Sequence, residues 1–202
     1  MDLDRLILSL YEIGSISFGD FILASGIRSP YYIDLRRVMS YPDLFRLVIE
    51  LYKSKLLDIG YYDALSGIET GSIPIASILS YILNKPLLYV RKKPKKYGLN
   101  RFLEGVLNSG MRIVVIEDVV TTGRSIMHAV ETIRSSGGIV DYAIAFIDRE
   151  QGASHLLHRN RVKLIPILRV REMFKSLHRN GVIPDEVYAK TMDYIGDGDV
   201  EG

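Results

Sequence analysis

The sequence predicts an α/β fold, with a parallel sheet carrying helices on both faces and a small N-terminal hood. Three observations predict it. Strand-like and helix-like segments alternate from residue 62 onward. The strand segments are near-continuous apolar runs, as expected where a sheet is covered on both sides. A chain of 202 residues that is 48% hydrophobic suffices for one sizeable core.

The elements follow in order. Leu3, Leu6, Ile7 and Leu10 recur at helical spacing, so residues 2–12 form a first helix. "SFGDFILASG" (17–26) and "SPYYIDLR" (29–36) alternate with Gly and Pro punctuation and read as short strands and turns. Leu44, Val48 and Leu51 mark a helix over 41–59, with Pro42 acceptable in its first turn. "YDALSGI" (62–68) is a buried strand, "SIPIASILSYIL" (72–83) a helix and "PLLYV" (86–90) a strand. "MRIVVIED" (111–118) is a strand and "SIMHAVETIRSS" (125–136) a helix with inner face Ile126, Ala129, Val130 and Ile133. "GIVDYAIAFID" (138–148) and "VKLIPIL" (162–168) are further strands, followed by helical patterns at 170–179 and 184–194. There is no repeat, low-complexity tract or linker. Residues 1–202 therefore read as a single domain, with 1–40 and the C-terminal helices as accessory elements.

Composition excludes several classes of function. Twenty-six Lys and Arg against 24 Asp and Glu leave a net charge of +2, which argues for neither a nucleic-acid nor a membrane partner. The absence of cysteine removes disulfides, thiolate zinc sites and a Cys nucleophile. No apolar run is long enough for a membrane span, and the N-terminal stretch does not read as a signal peptide. A cytoplasmic protein is expected.

In parallel α/β sheets ligands sit beyond the carboxyl ends of the strands, and four stretches lie there. In "VVIEDVVTTGRS" (114–125), Glu117 and Asp118 end an apolar strand and a hydroxyl- and glycine-bearing turn enters a helix. Backbone amides at that helix start, with Thr121, Thr122 and Ser125, suit a phosphate. The two carboxylates would repel that phosphate, so they need sugar hydroxyls or a divalent cation. A phosphorylated sugar satisfies both. In "GIETGSIPIA" (67–76) a strand runs through two glycines into a helix, offering the amides of Glu69–Ser72 to another anion. "RKKPKKYGLNR" (91–101) has six basic residues and no acid, suiting a cover over a polyphosphate. "IDRE" (147–150) places Arg149 after a strand, where its guanidinium can grip a carboxylate through two parallel hydrogen bonds.

These motifs, in this order, resemble the type I phosphoribosyltransferases. Within that family, F-x-L-x-S-G, then S-P-Y, then an acidic or amide residue is similar to the signature of the orotate-specific branch, and D-R-E matches its placement of an orotate-binding arginine. The resemblance implies a type I phosphoribosyltransferase fold and transfer of the phosphoribosyl group of 5-phosphoribosyl-1-pyrophosphate (PRPP) to orotate, with Mg²⁺, in pyrimidine synthesis. It assigns the ribose diol to Glu117 and Asp118, and the 5-phosphate loop to Thr121, Thr122, Gly123, Arg124 and Ser125. It brings Glu69, Thr70 and Gly71 to the pyrophosphate, with Arg91, Lys92, Lys95 and Tyr97 from the basic stretch. Lys92, Lys95 and Asp118 take the catalytic roles, and Asp118 holds the metal through water. Tyr31, Tyr32, Thr121 and Arg149 bind orotate. A homodimer is implied, with loop 91–101 reaching across the interface. The chain departs from the family at Ala24, where a lysine is usual, and at Tyr97, where many members have histidine. Two rivals remain open on sequence: a non-catalytic PRPP-sensing regulator and a purine phosphoribosyltransferase. No segment is spare for a DNA-reading helix-turn-helix, which speaks against the first. Arg149 and the S-P-Y stretch speak against the second.

Overall fold

The structure, a computed structural model, describes residues 3–22, 28–93 and 102–196. Ala24, Lys95 and Tyr97 lie outside the described residues. Helix α1 (Leu3–Glu12) leads into an antiparallel hairpin of β1 (Ile16–Ile22) and β2 (Arg28–Ile33), the predicted hood. A 3₁₀ turn (Leu35–Ser40) follows, then α2 (Pro42–Ile59), whose first residue is the proline that lacks the otherwise unsatisfied N–H. Strands β3 (Ala64–Ile68), β4 (Leu87–Val90), β5 (Leu103–Glu104), β6 (Arg112–Val120), β7 (Ile139–Asp148) and β8 (Lys163–Arg169) form one sheet in the order β5-β4-β3-β6-β7-β8. Between and after them run α3 (Ile73–Leu83), α4 (Arg124–Ser135), α5 (Ala153–Arg159), α6 (Val170–Arg179) and α7 (Asp185–Ile195).

The sheet departs from the expectation at one edge. The pairs among β3, β4, β6, β7 and β8 are parallel, whereas β5 runs antiparallel to β4 through Tyr89–Glu104 and Val90–Leu103. Two residues are too few to show a period, so neither composition nor alternation marks β5. The seven-residue α5 and the 3₁₀ turn escape sequence reading for the same reason.

Alternation along β6 divides the interior into two cores. Val114 and Ile116 point to the face covered by α2, α3, α6 and the hood, where they join Tyr52, Leu79, Ile144 and Phe146. Ile113 and Val115 point to the other face and meet Ile126, Ala129, Val130 and Ile133 of α4, the four residues predicted as its inner face. With both faces covered, the strands have little use for polar residues until they emerge at their carboxyl ends. Phe174 of α6 ties the hood to this core, its ring 5.3 Å from Phe18 and 4.8 Å from Tyr31. No described helix is long and apolar enough to cross a membrane.

Candidate active site

β6 lies between β3 and β7, so its carboxyl end is flanked by the ends of both neighbours. Glu117 is 7% exposed and Asp118 is half-buried. Each carboxylate is held by local backbone. Glu117 Oε1 accepts from the Asp118 N–H at 3.1 Å, and Asp118 Oδ1 accepts from the Val119 N–H at 2.8 Å. Beneath them, the fully buried Tyr52 of α2 donates its hydroxyl to the Glu117 carbonyl at 2.5 Å, fixing the strand end from below. Burial first, and the Asp118 charge second, hold the Glu117 carboxyl well above the ordinary carboxylate range. Lys92 acts in the opposite sense.

The turn after β3 comes up against this pair. Ser72 Oγ closes it, accepting from the Ile68 N–H at 2.7 Å and donating to the Ile68 carbonyl at 3.0 Å. Gly71 then lies so close to Asp118 that a Cβ there would fall 2.0 Å from Oδ2. A side chain at this point would have to push the Asp118 carboxylate aside. Glu69 turns to the basic stretch, its Oε2 accepting from the Lys92 N–H at 2.9 Å. Glu69, Thr70, Gly71, Lys92, Glu117 and Asp118 thus line a single cleft of about 390 Å³, with Ser125 at its edge.

The hydroxyl turn forms a smaller recess of about 90 Å³ lined by Thr121, Thr122, Gly123, Arg124 and Ser125 together with Glu117. Gly123 is the N-cap of α4, with φ 79°, and makes no side-chain cap. The hydroxyls of Thr122 and Ser125 therefore do not serve as the helix cap. A Cβ at Gly123 would also stand 3.2 Å from the Ala153 Cα, so glycine suits this turn twice over.

Arg149 is next to this recess, because its N–H donates to the Val120 carbonyl at 2.9 Å. The side chain is 5% exposed. Its guanidinium stacks on the Tyr31 ring at 4.4 Å, donates from Nε to the Tyr31 hydroxyl at 3.2 Å and from Nη2 to Ser29 Oγ at 3.2 Å. Of its two acidic neighbours, Glu150 accepts from the Arg171 N–H and Asp148 from the Glu150 N–H.

Several sequence expectations shift in this geometry. Tyr31 is fully buried against Phe174 and Tyr194, so its ring supports Arg149 from behind instead of facing a base. Tyr32, its neighbour on the opposite side of β2, lines the cleft. Arg91 does not line the cleft. Its guanidinium turns to Glu104 of β5 at 3.7 Å while its N–H donates to the Phe102 carbonyl. Tyr52 and Arg36 were not singled out by the sequence, and Ser29 and Asp34 entered only as parts of the S-P-Y signature, without a role. Tyr52 and Ser29 act through contacts 65 and 120 residues away in the chain, which no local pattern encodes. Asp34 and Arg36 stood inside the quoted "SPYYIDLR" stretch, where an acid and a base two residues apart were the available signal.

Gly71→Ala is expected to displace the Asp118 carboxylate and weaken PRPP binding by at least about tenfold, or about 1.4 kcal/mol, with little change in melting temperature. Calorimetric titration with PRPP checks it, and unchanged affinity would mean that the turn and the acid pair do not share a ligand.

Comparison with known proteins bears on the same residues. The family described as "Phosphoribosyl transferase domain" matches residues 37–165. The chain is 46% identical over 169 residues to the orotate phosphoribosyltransferase of Methanocaldococcus jannaschii, covering 84% of this chain and 95% of that one. It is 43% identical over 191 residues to that of Pyrobaculum islandicum, covering 94% and 97%. Among solved structures it resembles the orotate phosphoribosyltransferase of Aeropyrum pernix with a TM-score of 0.77 and 35% identity, covering 89% of this chain and 99% of that one. With the acid pair, the glycine turn and the hydroxyl turn gathered at one strand end, the chain belongs to the orotate phosphoribosyltransferase family of the phosphoribosyl transferase fold.

Proposed function

We propose that this cleft transfers the phosphoribosyl group of PRPP to orotate, giving orotidine 5′-monophosphate and pyrophosphate in pyrimidine nucleotide synthesis. The observation that carries the reading is the meeting of Asp118 and Gly71 beside a hydroxyl-lined helix start. One ligand bearing a sugar diol between two phosphate groups satisfies all three at once. Glu117 and Asp118 hold the ribose hydroxyls, and the amides and hydroxyls of residues 121–125 hold the 5-phosphate. The turn at Glu69–Gly71 and the Lys92 cation face the pyrophosphate. Tyr32 and Thr121 border the base, and Arg149 takes its carboxylate.

In the reaction the orotate ring nitrogen forms a bond to the anomeric carbon while the carbon–oxygen bond to pyrophosphate breaks, its electron pair leaving with the pyrophosphate. Positive charge that develops on the ribose is favoured by the nearby carboxylates, and Lys92 stabilises the departing oxygens. Orotate's ring nitrogen gives up its proton to solvent and is acidic enough to need no strong protein base. Among the described residues no group of three or more His, Asp or Glu is arranged to hold a metal. Asp118 is the residue that would hold a Mg²⁺ ion arriving with the pyrophosphate, and such an ion would supply charge neutralisation for the leaving group.

We further propose a homodimer in which the basic stretch 91–101 serves the partner's site and Lys95 acts on pyrophosphate. The stretch leaves from β4 and returns at β5, the sheet edge. Tyr81 and Ile82 on α3, which packs against β4, and Val106 beyond β5 are exposed apolar side chains on that side of the molecule.

Loss of orotate absorbance on adding PRPP and Mg²⁺ tests the activity, with adenine, guanine and uracil as controls. Orotate alone should react, and consumption of a purine instead would overturn the assignment. In the same assay Arg149→Ala should raise the KM for orotate, costing about 1.5–3 kcal/mol, with the KM for PRPP nearly unchanged. Equal losses for both substrates would make Arg149 structural. For the dimer, inactive Asp118→Asn and Lys95→Ala chains, mixed and allowed to exchange, should recover about a quarter of wild-type activity, since half the dimers are mixed and each has one intact site. A mixture that exchanges subunits and stays inactive would place the loop in its own chain's site.

A further inference from the structure

The cleft is acidic for a site that must admit a polyanion. Among the described residues its lining carries Asp34, Glu69, Glu117 and Asp118, against the cations Arg36 and Lys92. Lys92 meets Glu69 through its backbone N–H and its charge reaches Glu117, while Arg36 feels the charge of Asp118. Arg36 also lines a small recess shared with Gly71, Ile75 and Asp118, so its side chain lies where the glycine turn meets the acid pair.

This arginine is held in place. Asp34 is the N-cap of the 3₁₀ turn and accepts from the Arg36 backbone N–H at 3.1 Å. The same carboxylate takes the guanidinium through both oxygens, from Nε at 2.7 Å and from Nη2 at 3.0 Å. A guanidinium has five N–H donors in a fixed fork, and two are used here. Nη1 has no hydrogen-bond partner among the described residues, and the side chain remains 56% exposed. Asp34 raises the Arg36 pKa foremost, with Tyr32 and Asp118 adding to it, and Asp34 itself is lowered by the same contact. Orientation is thus set before any ligand arrives, and three guanidinium N–H donors are left over for a different acceptor. The backbone cap on Asp34 does not depend on the Arg36 side chain, so removing that side chain leaves the turn its hydrogen bond.

Resting on the PRPP reading above, we propose that Arg36, oriented by Asp34, is a catalytic residue that grips the pyrophosphate of PRPP beside its bond to the ribose and stabilises it as it leaves. The carbon–oxygen bond breaks with its electron pair going to pyrophosphate, and the bond from the orotate nitrogen forms. Arg36 stays protonated throughout and exchanges no proton. Asp34 is a positioning residue: it fixes the plane of the guanidinium and touches no substrate.

The test uses the full chain as wild type, Arg36→Ala, Arg36→Lys and Asp34→Ala, with Mg²⁺-pyrophosphate titrated calorimetrically and orotate turnover measured alongside. Arg36→Ala should weaken pyrophosphate binding at least about tenfold and lower kcat, with the KM for orotate within about twofold of wild type. Arg36→Lys should restore part of the binding and little of kcat, because a point charge replaces a planar fork. Asp34→Ala should keep most of the pyrophosphate affinity and lose kcat, a split that a merely structural role would not produce. Arg36→Ala that binds pyrophosphate and turns over like an active wild type would overturn the inference alone. A wild type that neither binds pyrophosphate nor consumes orotate would overturn the PRPP reading and this inference with it.

Discussion

Glu117 is a carboxylate buried at the carboxyl end of the central strand, and the surrounding structure is arranged around that burden. Taking such a group from water is unfavourable, and here a second carboxylate follows it directly. Backbone donors from the next residue in each case, and the Lys92 charge nearby, offset only part of this. The environment that would relieve the rest is a ligand with hydroxyl donors and a cation. On the proposed reading, folding stability is conceded at one strand end so that the sugar finds its acceptors already desolvated and aligned.

The constraint propagates outward through packing. The strand end cannot move down, because Tyr52 and Phe146 fill the space below it with rings 5.8 Å apart. The turn after β3 stands against the pair, with Gly71 so close that an added Cβ would displace the Asp118 carboxylate. On the other flank, β7 delivers Arg149 beside the hydroxyl turn, and the hood reaches over to hold it through Ser29 and Tyr31. The hairpin is in turn seated on α6 and α7 through Phe174 and Tyr194. The accessory elements at the two ends of the chain therefore meet at the residue assigned to the base.

Much of this was legible in the sequence, and the exceptions share a cause. Helices α2, α3, α4, α6 and α7 and the longer strands followed from period and punctuation, since each buries a face that repeats at 3.6 or 2 residues. The acid pair was legible because burying charge is costly without a partner, and both turns because glycine after a strand punctuates the entry to a helix. The two-residue β5, the short α5 and the 3₁₀ turn carry too few residues to repeat anything. Tyr31 and Tyr32 read alike in sequence, and only the side of β2 that each occupies separates a support for Arg149 from a wall of the cleft. Arg91 reads as one of six basic residues, and its pairing with Glu104 depends on an antiparallel edge that the sequence does not announce.

The direct test of this account is the unfolding free energy of the wild type and Glu117→Gln from about pH 4 to about pH 8, with and without Mg²⁺-PRPP. The folded Glu117 carboxyl keeps its proton to higher pH than the unfolded one. Raising the pH above the ordinary carboxylate range therefore favours the unfolded wild type, until the folded group also ionises. The account predicts that without ligand the wild type loses stability relative to Glu117→Gln over that range, and that Mg²⁺-PRPP stabilises the wild type more than the variant. Parallel curves without ligand, or equal stabilisation of both proteins by Mg²⁺-PRPP, would contradict it.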